Sequence, residues 1–348
     1  MHSKKQRQLR EFYTGKTILV TGGVGSIGSE IIRKLLEYEP RVIRVLDNNE
    51  TGLFDLEQEL QTKRIRALVG DIRDKDRLER AVEDVDIIFH AAALKHVPLC
   101  EYNPFEAVKT NVLGTQNVLD AALDKKVQKV ILISTDKAVN PTNVMGATKL
   151  LAERLTVSAN NYRGWGKSIF AAVRFGNVMD SRGSVIPVFK KQIKAGGPVT
   201  VTDPEMTRFV MTIPEAVELV IEAAVIAQGG EIFILKMPSL KVGMLAESMI
   251  ETFAPLYGLD PSKISIRVVG KRSGEKMYEE LINKEDENLL MENERMFVRL
   301  PKSSNSAKTE IYEETGFKKS VSKCFSSNST NVVLEKKDIK KILEKFKD

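Results

Sequence analysis

The chain has 348 residues, 42% of them hydrophobic and 29% charged, with a formal net charge of +6. That length supports one large or two modest domains with a substantial core. The composition is that of an ordinary globular protein, and no apolar stretch approaches the ~18 residues of a membrane span.

Residues 1–13 read as a short polar helical arm. Apolar runs at 16–20, 42–46, 67–69, 87–90 and 130–134 read as strands. Between them, 29–38, 53–61, 74–82 and 104–123 carry helical periodicity. Residues 149–162 continue as a helix and 168–174 as a strand. Strands alternating with helices predict an α/β fold, a Rossmann-like doubly wound parallel sheet. After about residue 180 the pattern is irregular, broken by Pro187, Gly196-Gly197-Pro198, Pro204, Pro214 and Pro238, although 215–227 and 242–257 still read as helices. This predicts a smaller C-terminal substrate lobe. The polar, Ser/Asn-rich stretch 303–330 reads as loop, and 335–346 as a closing amphipathic helix. The expected organisation is an arm at 1–13 and a Rossmann domain at 14–180. A discontinuous, partly interleaved lobe at 181–300 and an extension at 301–348 follow.

The two cysteines, Cys100 and Cys324, are far apart, which excludes a disulfide framework and points to a reducing, cytoplasmic setting. The N-terminus is polar rather than signal-like. His2, His90 and His96 show no zinc-site spacing, so no metal is expected. Basic residues gather at Lys4, Lys5, Arg7 and Arg10 and again at Lys336, Lys337, Lys340 and Lys341. No aromatic residues interleave them to stack bases, so they read as solvated helix faces rather than nucleic-acid contacts.

Thr21-Gly22-Gly23-Val24-Gly25-Ser26-Ile27-Gly28 joins the first strand to a helix. Glycines at 22, 25 and 28 permit a tight turn and close approach to a pyrophosphate, with Ser26 and Ile27 beside it and the helix N-terminus facing it. Asp47, about twenty residues on at the end of the second strand, suits hydrogen bonds to ribose hydroxyls and repels a 2′-phosphate, so the cofactor reads as NAD. Arg44, on the same strand, points elsewhere by alternation. Asp71 and Ile72 after the third strand meet the adenine, or Asp71 caps the next helix. Ala91, Ala92 and Ala93 leave room for a dinucleotide backbone, or serve close helix packing.

Ser134-Thr135-Asp136-Lys137 follows the strand at 130–134, and Met145-Gly146-Ala147-Thr148-Lys149 follows in turn. A hydroxyl, an acid and a base thus crowd the mouth of the sheet. Lys149 sits one helical turn past Met145. Methionine cannot titrate, so proton transfer here falls to the neighbouring groups.

These motifs, together with Leu94-Lys95-His96-Val97-Pro98, Arg174-Phe175-Gly176-Asn177-Val178, Met206-Thr207-Arg208-Phe209 and Gly274-Glu275-Lys276-Met277-Tyr278-Glu279-Glu280-Leu281, carry a resemblance. From about residue 10 to 300 the chain resembles the extended short-chain dehydrogenase/reductases. Within them it resembles the UDP-N-acetylglucosamine 4,6-dehydratases of surface-glycan pathways, in their short form without a membrane-spanning region. The resemblance implies a redox-neutral cycle on a UDP-sugar. Hydride leaves sugar C4, water is lost across C5 and C6, and the hydride returns at C6.

It further implies Lys137 as the base at C5, which requires a neutral amine, and Asp136 as the acid for the departing 6-OH, which requires a protonated carboxyl. Lys149 binds the nicotinamide ribose. Thr135 positions the 4-OH and relays its proton to Asp136 or to solvent, and Met145 forms an apolar wall. On the substrate side, Asn177 contacts the sugar diphosphate and Glu275 lies near the uridine ribose. Lys95 and His96 face the sugar, and Arg208 and Arg272 offer charge to the phosphates. Lys190 and Lys191 read as solvated, and Asn111 as a brace for the sheet. A homo-oligomer is expected, paired through helices 104–123 and 149–162. The competing readings are a nucleotide-sugar 4-epimerase and a catalytically inactive dinucleotide sensor.

Overall fold

The computed structural model describes residues 2–164, 166–302, 306–322, 325–329 and 332–347; Cys324 lies outside them. The chain opens with helix α1 (His2–Tyr13), then alternates strictly: β1 (Thr17–Thr21), α2 (Ser26–Leu36), β2 (Val42–Asp47), α3 (Glu50–Leu60), β3 (Ile65–Val69), α4 (Lys75–Val82) and β4 (Ile87–His90). Short helices α5 (Val97–Tyr102) and α6 (Pro104–Ala107) run into a π-helical segment, Val108–Leu113, and then α7 (Gly114–Asp124). Next come β5 (Lys129–Thr135), α8 (Val144–Ala159), β6 (Ile169–Phe175), β7 (Asn177–Val178), α9 (Val185–Lys194), β8 (Val199–Val201), β9 (Thr207–Met211) and α10 (Ile213–Ile226). The remainder holds β10 (Ile232–Leu235), β11 (Ser239–Lys241), α11 (Val242–Phe253), β12 (Ile266–Val268), β13 (Glu280–Ile282), β14 (Leu290–Glu292), β15 (Met296–Arg299), α12 (Ser306–Glu314), β16 (Lys318–Lys319), β17 (Phe325–Ser326) and α13 (Lys336–Leu343).

The main sheet runs β16-β14-β15-β10-β6-β5-β4-β1-β2-β3. From β3 to β10 every neighbouring pair is parallel, and β15, β14 and β16 extend the sheet antiparallel. Every residue of β1 and β4 is buried, as a parallel sheet covered by helices on both faces requires. Strand order reverses between β1 and β4, and the crevice past their carboxyl ends is where such sheets take ligands. The α/β, doubly wound reading therefore holds. A second core joins α9, α11 and α13 through Ile186, Phe189, Leu245, Met249, Ile339 and Leu343.

Two local expectations are corrected. The helix expected over 104–123 is interrupted by the π-helical segment. The wider turn carries Asn111, whose side chain accepts from Leu94 N (2.8 Å) and donates to Leu94 O (3.0 Å). The stretch 303–330 is not all loop: α12 folds there because Tyr312 is fully buried, edge-on to Phe317, and β16 pairs with β14.

Candidate active site

A single cleft of about 690 Å³ occupies the crevice past the carboxyl ends of β1, β4 and β5. Its first half is built from backbone. Gly22 stands at φ +66°, and a Cβ there would lie 2.6 Å from Ala92 Cα. At Gly28 a Cβ would lie 2.3 Å from the Gly22 carbonyl oxygen, so only glycine lets α2 start this close to the loop. Gly25 caps α2 without a side-chain hydrogen bond, leaving first-turn N–H groups free for an anion. Gly22, Gly25, Ser26, Ile27, Gly28, Asp47, Asp71, Ile72, Ala91, Ala92 and Ala93 all line this cleft. One Asp47 oxygen accepts from Val24 N (3.2 Å) and the other from Asn49 N (3.0 Å), which fixes the carboxylate at the tip of β2. Asp71 is not the helix cap. Asp74 is, accepting from Arg77 N at 3.0 Å, while Asp71 pairs with Arg73 at 2.6 Å, which holds its carboxyl below the usual range. Arg44 turns away to the carbonyls of Ala81 and Glu83.

His90 braces this half from below, a role its sequence position does not reveal. Thr115 donates its hydroxyl to Asn111 O (2.7 Å), so at 3.0 Å it must accept from His90 Nε2–H. His90 Nδ1 then accepts from the Thr21 hydroxyl at 2.7 Å. Burial, aided by Lys149, pushes this imidazole down to about 3, so it stays neutral.

The second half gathers the titratable side chains. Thr135 ends β5 and donates to Asp136 Oδ1 at 2.8 Å; Lys137 Nζ donates to the same oxygen at 3.0 Å. Asp136 lies beneath the cleft wall with no exposed surface, and its Oδ2 has no hydrogen-bond partner among the described residues. Gly176 abuts that oxygen, since a Cβ there would lie 3.0 Å from it. Met145 and Lys149 both line the cleft from α8, and Met145 packs with Cys100 and Ala107. Burial lowers the Lys149 ammonium to about 8 against the opposing pull of Glu153. Glu153 itself is locked to Arg174 by two hydrogen bonds, of 2.6 and 3.0 Å.

Lys137 departs from the neutral state expected of it. Burial lowers its ammonium, but the carboxylates of Asp136 and, at 3.7 Å, Glu279 outweigh this and hold it above the ordinary lysine range. Glu279 was not singled out in the sequence. It is buried, its Oε2 lacks a hydrogen-bond partner among the described residues, and burial raises its carboxyl. The only sequence signal was its place in Gly274-Glu275-Lys276-Met277-Tyr278-Glu279.

Lys95, His96 and Asn177, expected to meet the substrate, line the cleft. Lys95 Nζ donates to Arg182 O (2.7 Å), Arg182 N donates to Ser26 Oγ (3.0 Å), and the His96 ring lies against Gly183. The segment around residue 182 thus straps the pyrophosphate loop to the wall beside β4. Arg208, Arg272 and Glu275 stand outside this cleft. The Arg208 guanidinium donates to the carbonyls of Thr207 (2.8 Å) and Lys276 (2.9 Å). Arg272 is exposed and its N–H donates to Glu275 Oε2 at 3.1 Å. Lys190 sits over the Phe253 ring and donates to Phe346 O, and Lys191 is exposed.

Comparison with known proteins adds to this geometry. A family model described as polysaccharide biosynthesis protein matches residues 18–301. A protein of Methanocaldococcus jannaschii described as an uncharacterized membrane protein is 58% identical over 340 residues, 98% of each chain. The inverting UDP-N-acetylglucosamine 4,6-dehydratase of Campylobacter jejuni is 43% identical across 83% of this chain and 84% of its own. UDP-glucose 4-epimerase of Rickettsia prowazekii is 42% identical across 79% and 80%. Among solved structures, Pen from Bacillus thuringiensis superposes with a TM-score of 0.89 at 43% identity, covering 96% of this chain and 98% of that one. DesIV, a dTDP-glucose 4,6-dehydratase from Streptomyces venezuelae solved with NAD bound, gives 0.67 at 26% identity over 75% and 86%.

Proposed function

Because the chain belongs to the polysaccharide biosynthesis family of extended short-chain dehydrogenase/reductases, we propose that it is an NAD-dependent hydro-lyase. Its substrate in this reading is a UDP-sugar, UDP-N-acetylglucosamine, converted to the 4-keto-6-deoxy sugar nucleotide. The observation that carries this is the meeting of Thr135 and Lys137 on one oxygen of Asp136 at the end of β5, in the same cleft as Lys149.

The glycine loop from Gly22 to Gly28 and the N-terminus of α2 hold the pyrophosphate. Asp47 takes the adenosine ribose, Asp71 and Ile72 flank the adenine, and Ala91, Ala92 and Ala93 form the wall behind. Both Asp47 oxygens are already oriented by backbone N–H groups, which supports NAD over its 2′-phosphorylated form. When bound, NAD supplies the acceptor for the C4 hydride and its source at C6. Lys149 orients the nicotinamide ribose, and Met145 excludes water beside it.

Thr135 accepts the 4-OH proton while passing its own to Asp136, along the 2.8 Å hydrogen bond it already makes. Asp136 then gives that proton to the departing 6-OH, so water leaves without any net demand on solvent. Lys137 takes H5 once the C4 ketone has acidified it, and returns a proton to C5 as the hydride arrives at C6. Asn177 and Lys95 line the sugar-diphosphate side; Arg208, Arg272 and Glu275 lie farther out and act only at its nucleotide end. Leu99, Tyr102, Phe105 and Leu113 are exposed apolar side chains on neighbouring helices, which supports a homo-oligomer. Among the described residues, no helix is long and apolar enough to cross a membrane.

The Rickettsia relative favours one other reading, a 4-epimerase. It shares the C4 oxidation but has no use for an acid and a base at C5 and C6. Incubation with UDP-N-acetylglucosamine, followed by mass spectrometry, separates the two. A product lighter by one water supports the dehydratase. A new sugar of unchanged mass supports the epimerase and refutes the proposal.

A further inference from the structure

Glu279 precedes β13, and its main chain is pinned on both sides by Ser327: Glu279 N donates to Ser327 Oγ at 3.0 Å, and Ser327 N donates to Glu279 O at 2.9 Å. Ser327 Oγ in turn donates to Thr207 O at 3.1 Å. The carboxyl is therefore held in place without a clamp of its own. Oε1 lies 3.7 Å from Lys137 Nζ and 3.9 Å from Arg208 Nε. Oε2 is buried and has no hydrogen-bond partner among the described residues. Glu279 is not among the residues that line the cleft.

Lys137 as the C5 base raises a problem that its surroundings make acute. Its Nζ has three oxygen neighbours: Asp136 Oδ1 at 3.0 Å, Asn177 Oδ1 at 3.5 Å and Glu279 Oε1 at 3.7 Å. An ammonium so placed cannot accept H5 and must first lose a proton. Asn177 cannot take one. Asp136 is committed to the 4-OH proton and to the departing hydroxyl. That leaves Glu279. An ionised, buried carboxylate with one oxygen unpaired is costly, and protonation removes the charge. The Lys137 ammonium opposes this most while it keeps its charge, and Arg208 and Lys276 oppose it less, while Asp136 favours it. Arg208 makes no fork with Glu279: its terminal nitrogens go to backbone carbonyls, and only Nε approaches, at 3.9 Å. The net balance is a carboxyl raised above its ordinary range by burial.

We propose that Glu279 is a positioning residue that acts through Lys137, accepting the ammonium proton Lys137 must give up before it can take H5. The inference rests on the reading of Lys137 as the C5 base. Once the 3.7 Å gap between Lys137 Nζ and Glu279 Oε1 closes to hydrogen-bond distance, an N–H bond of Lys137 breaks and an O–H bond forms on Glu279, so ammonium and carboxylate become amine and carboxylic acid with no change in net charge. Lys137 then takes H5 as a proton, leaving the C5–H electron pair on the sugar, and returns a proton to C5 later. Glu279 keeps its proton through the cycle and hands it back on product release. Because the transfer is internal, it needs no solvent proton acceptor.

Glu279→Gln tests this. The amide resembles the neutral acid in shape but accepts no proton, so Lys137 must deprotonate to water. The ratio of variant to wild-type elimination rate, read as H5 exchange in deuterated water with UDP-N-acetylglucosamine, should rise about tenfold per pH unit from pH ~6 until Lys137 titrates. KM should stay within about threefold, as for a residue outside the cleft. Glu279→Asp keeps a carboxylate and should keep the ratio flat. A flat ratio for Glu279→Gln, or a slope in both variants, overturns the proposal. A second arm uses the protein alone: with ¹⁵N-labelled lysine, the Lys137 ammonium should titrate at lower pH in Glu279→Gln than in wild type, and an unchanged titration overturns it. Lys137→Ala separates the two levels. If it turns over at the wild-type rate, the base assignment fails and the proposal with it. If it is inactive while the Glu279→Gln ratio is flat, only the proposal fails.

Discussion

Gly22→Ala probes the point where β1, β4 and the dinucleotide loop meet. Gly22 has φ +66°, a region where a side chain costs about 1–2 kcal/mol. The new methyl would also lie 2.6 Å from both Cα and N of Ala92 and 2.9 Å from the carbonyl carbon of Ala91. These are backbone atoms and cannot rotate aside, so the loop must lift from the end of β4. Overpacking of this kind adds about 1–3 kcal/mol, for a total of roughly 2–5 kcal/mol. If the whole cost falls on the dinucleotide-bound form, NAD affinity drops between about thirty-fold and a few thousand-fold. Whatever share the free protein bears appears instead as a lower Tm, at roughly 1–2 °C per kcal/mol for a chain of 348 residues. Calorimetric titration with NAD and thermal unfolding of the free protein measure the two shares together. Affinity within about threefold of wild type with an unchanged Tm would refute the reasoning, because neither state would then carry the cost.

His90 predicts a pH dependence of stability. Its folded value of about 3 lies below the ordinary 6.5, so the unfolded chain binds the proton first. The stability it contributes is full above pH ~6.5 and declines as pH falls toward 3, by about 2 kcal/mol between pH 6.5 and 5. Urea unfolding of wild type and His90→Gln across that window should differ in slope by this amount; parallel curves would contradict it. Thr135→Val should slow C4 oxidation by about 10²-fold, read as NADH absorbance before the steady state. Unchanged NADH formation would remove the relay through Asp136. Met145→Leu should cost under ~1.5 kcal/mol of stability and leave oxidation nearly as fast, whereas a collapse in rate would give Met145 a role beyond packing. Lys137→Ala should abolish H5 exchange while NAD affinity stays within about threefold; lost NAD affinity would place Lys137 at the cofactor instead.

The features most legible in the sequence are those whose physics is local. Glycines at 22, 25 and 28 are forced by atoms a few ångströms away, and strands such as Ile87–His90 are buried on both faces, so spacing and apolarity revealed them. The pairing of Thr135, Asp136 and Lys137 is local too, being three consecutive residues. What stayed hidden depends on distant segments. Glu279 meets Lys137 only because β13 packs under the turn after β5. Arg208 also donates to the carbonyls of Lys276 and Met277, about seventy residues away, which no spacing rule exposes. Lys137 taken alone suggested a base; its charge state is set by Asp136 and Glu279 together. The π-helical turn at Asn111 follows from a side chain reaching the loop after β4, and helical periodicity alone cannot register it. Lys129, at the start of β5, caps the end of α10 by donating its Nζ to the carbonyls of Ala224, Val225 and Ala227, a contact no local pattern shows.

The central claim is that one cleft oxidises C4, eliminates water and reduces C6 without consuming cofactor. UDP-N-acetylglucosamine deuterated at C4, turned over with substoichiometric NAD, tests it most directly. The expected product is lighter by one water and carries the deuterium at C6. Deuterium lost to solvent, or turnover that stops when the added NAD is used up, would contradict it.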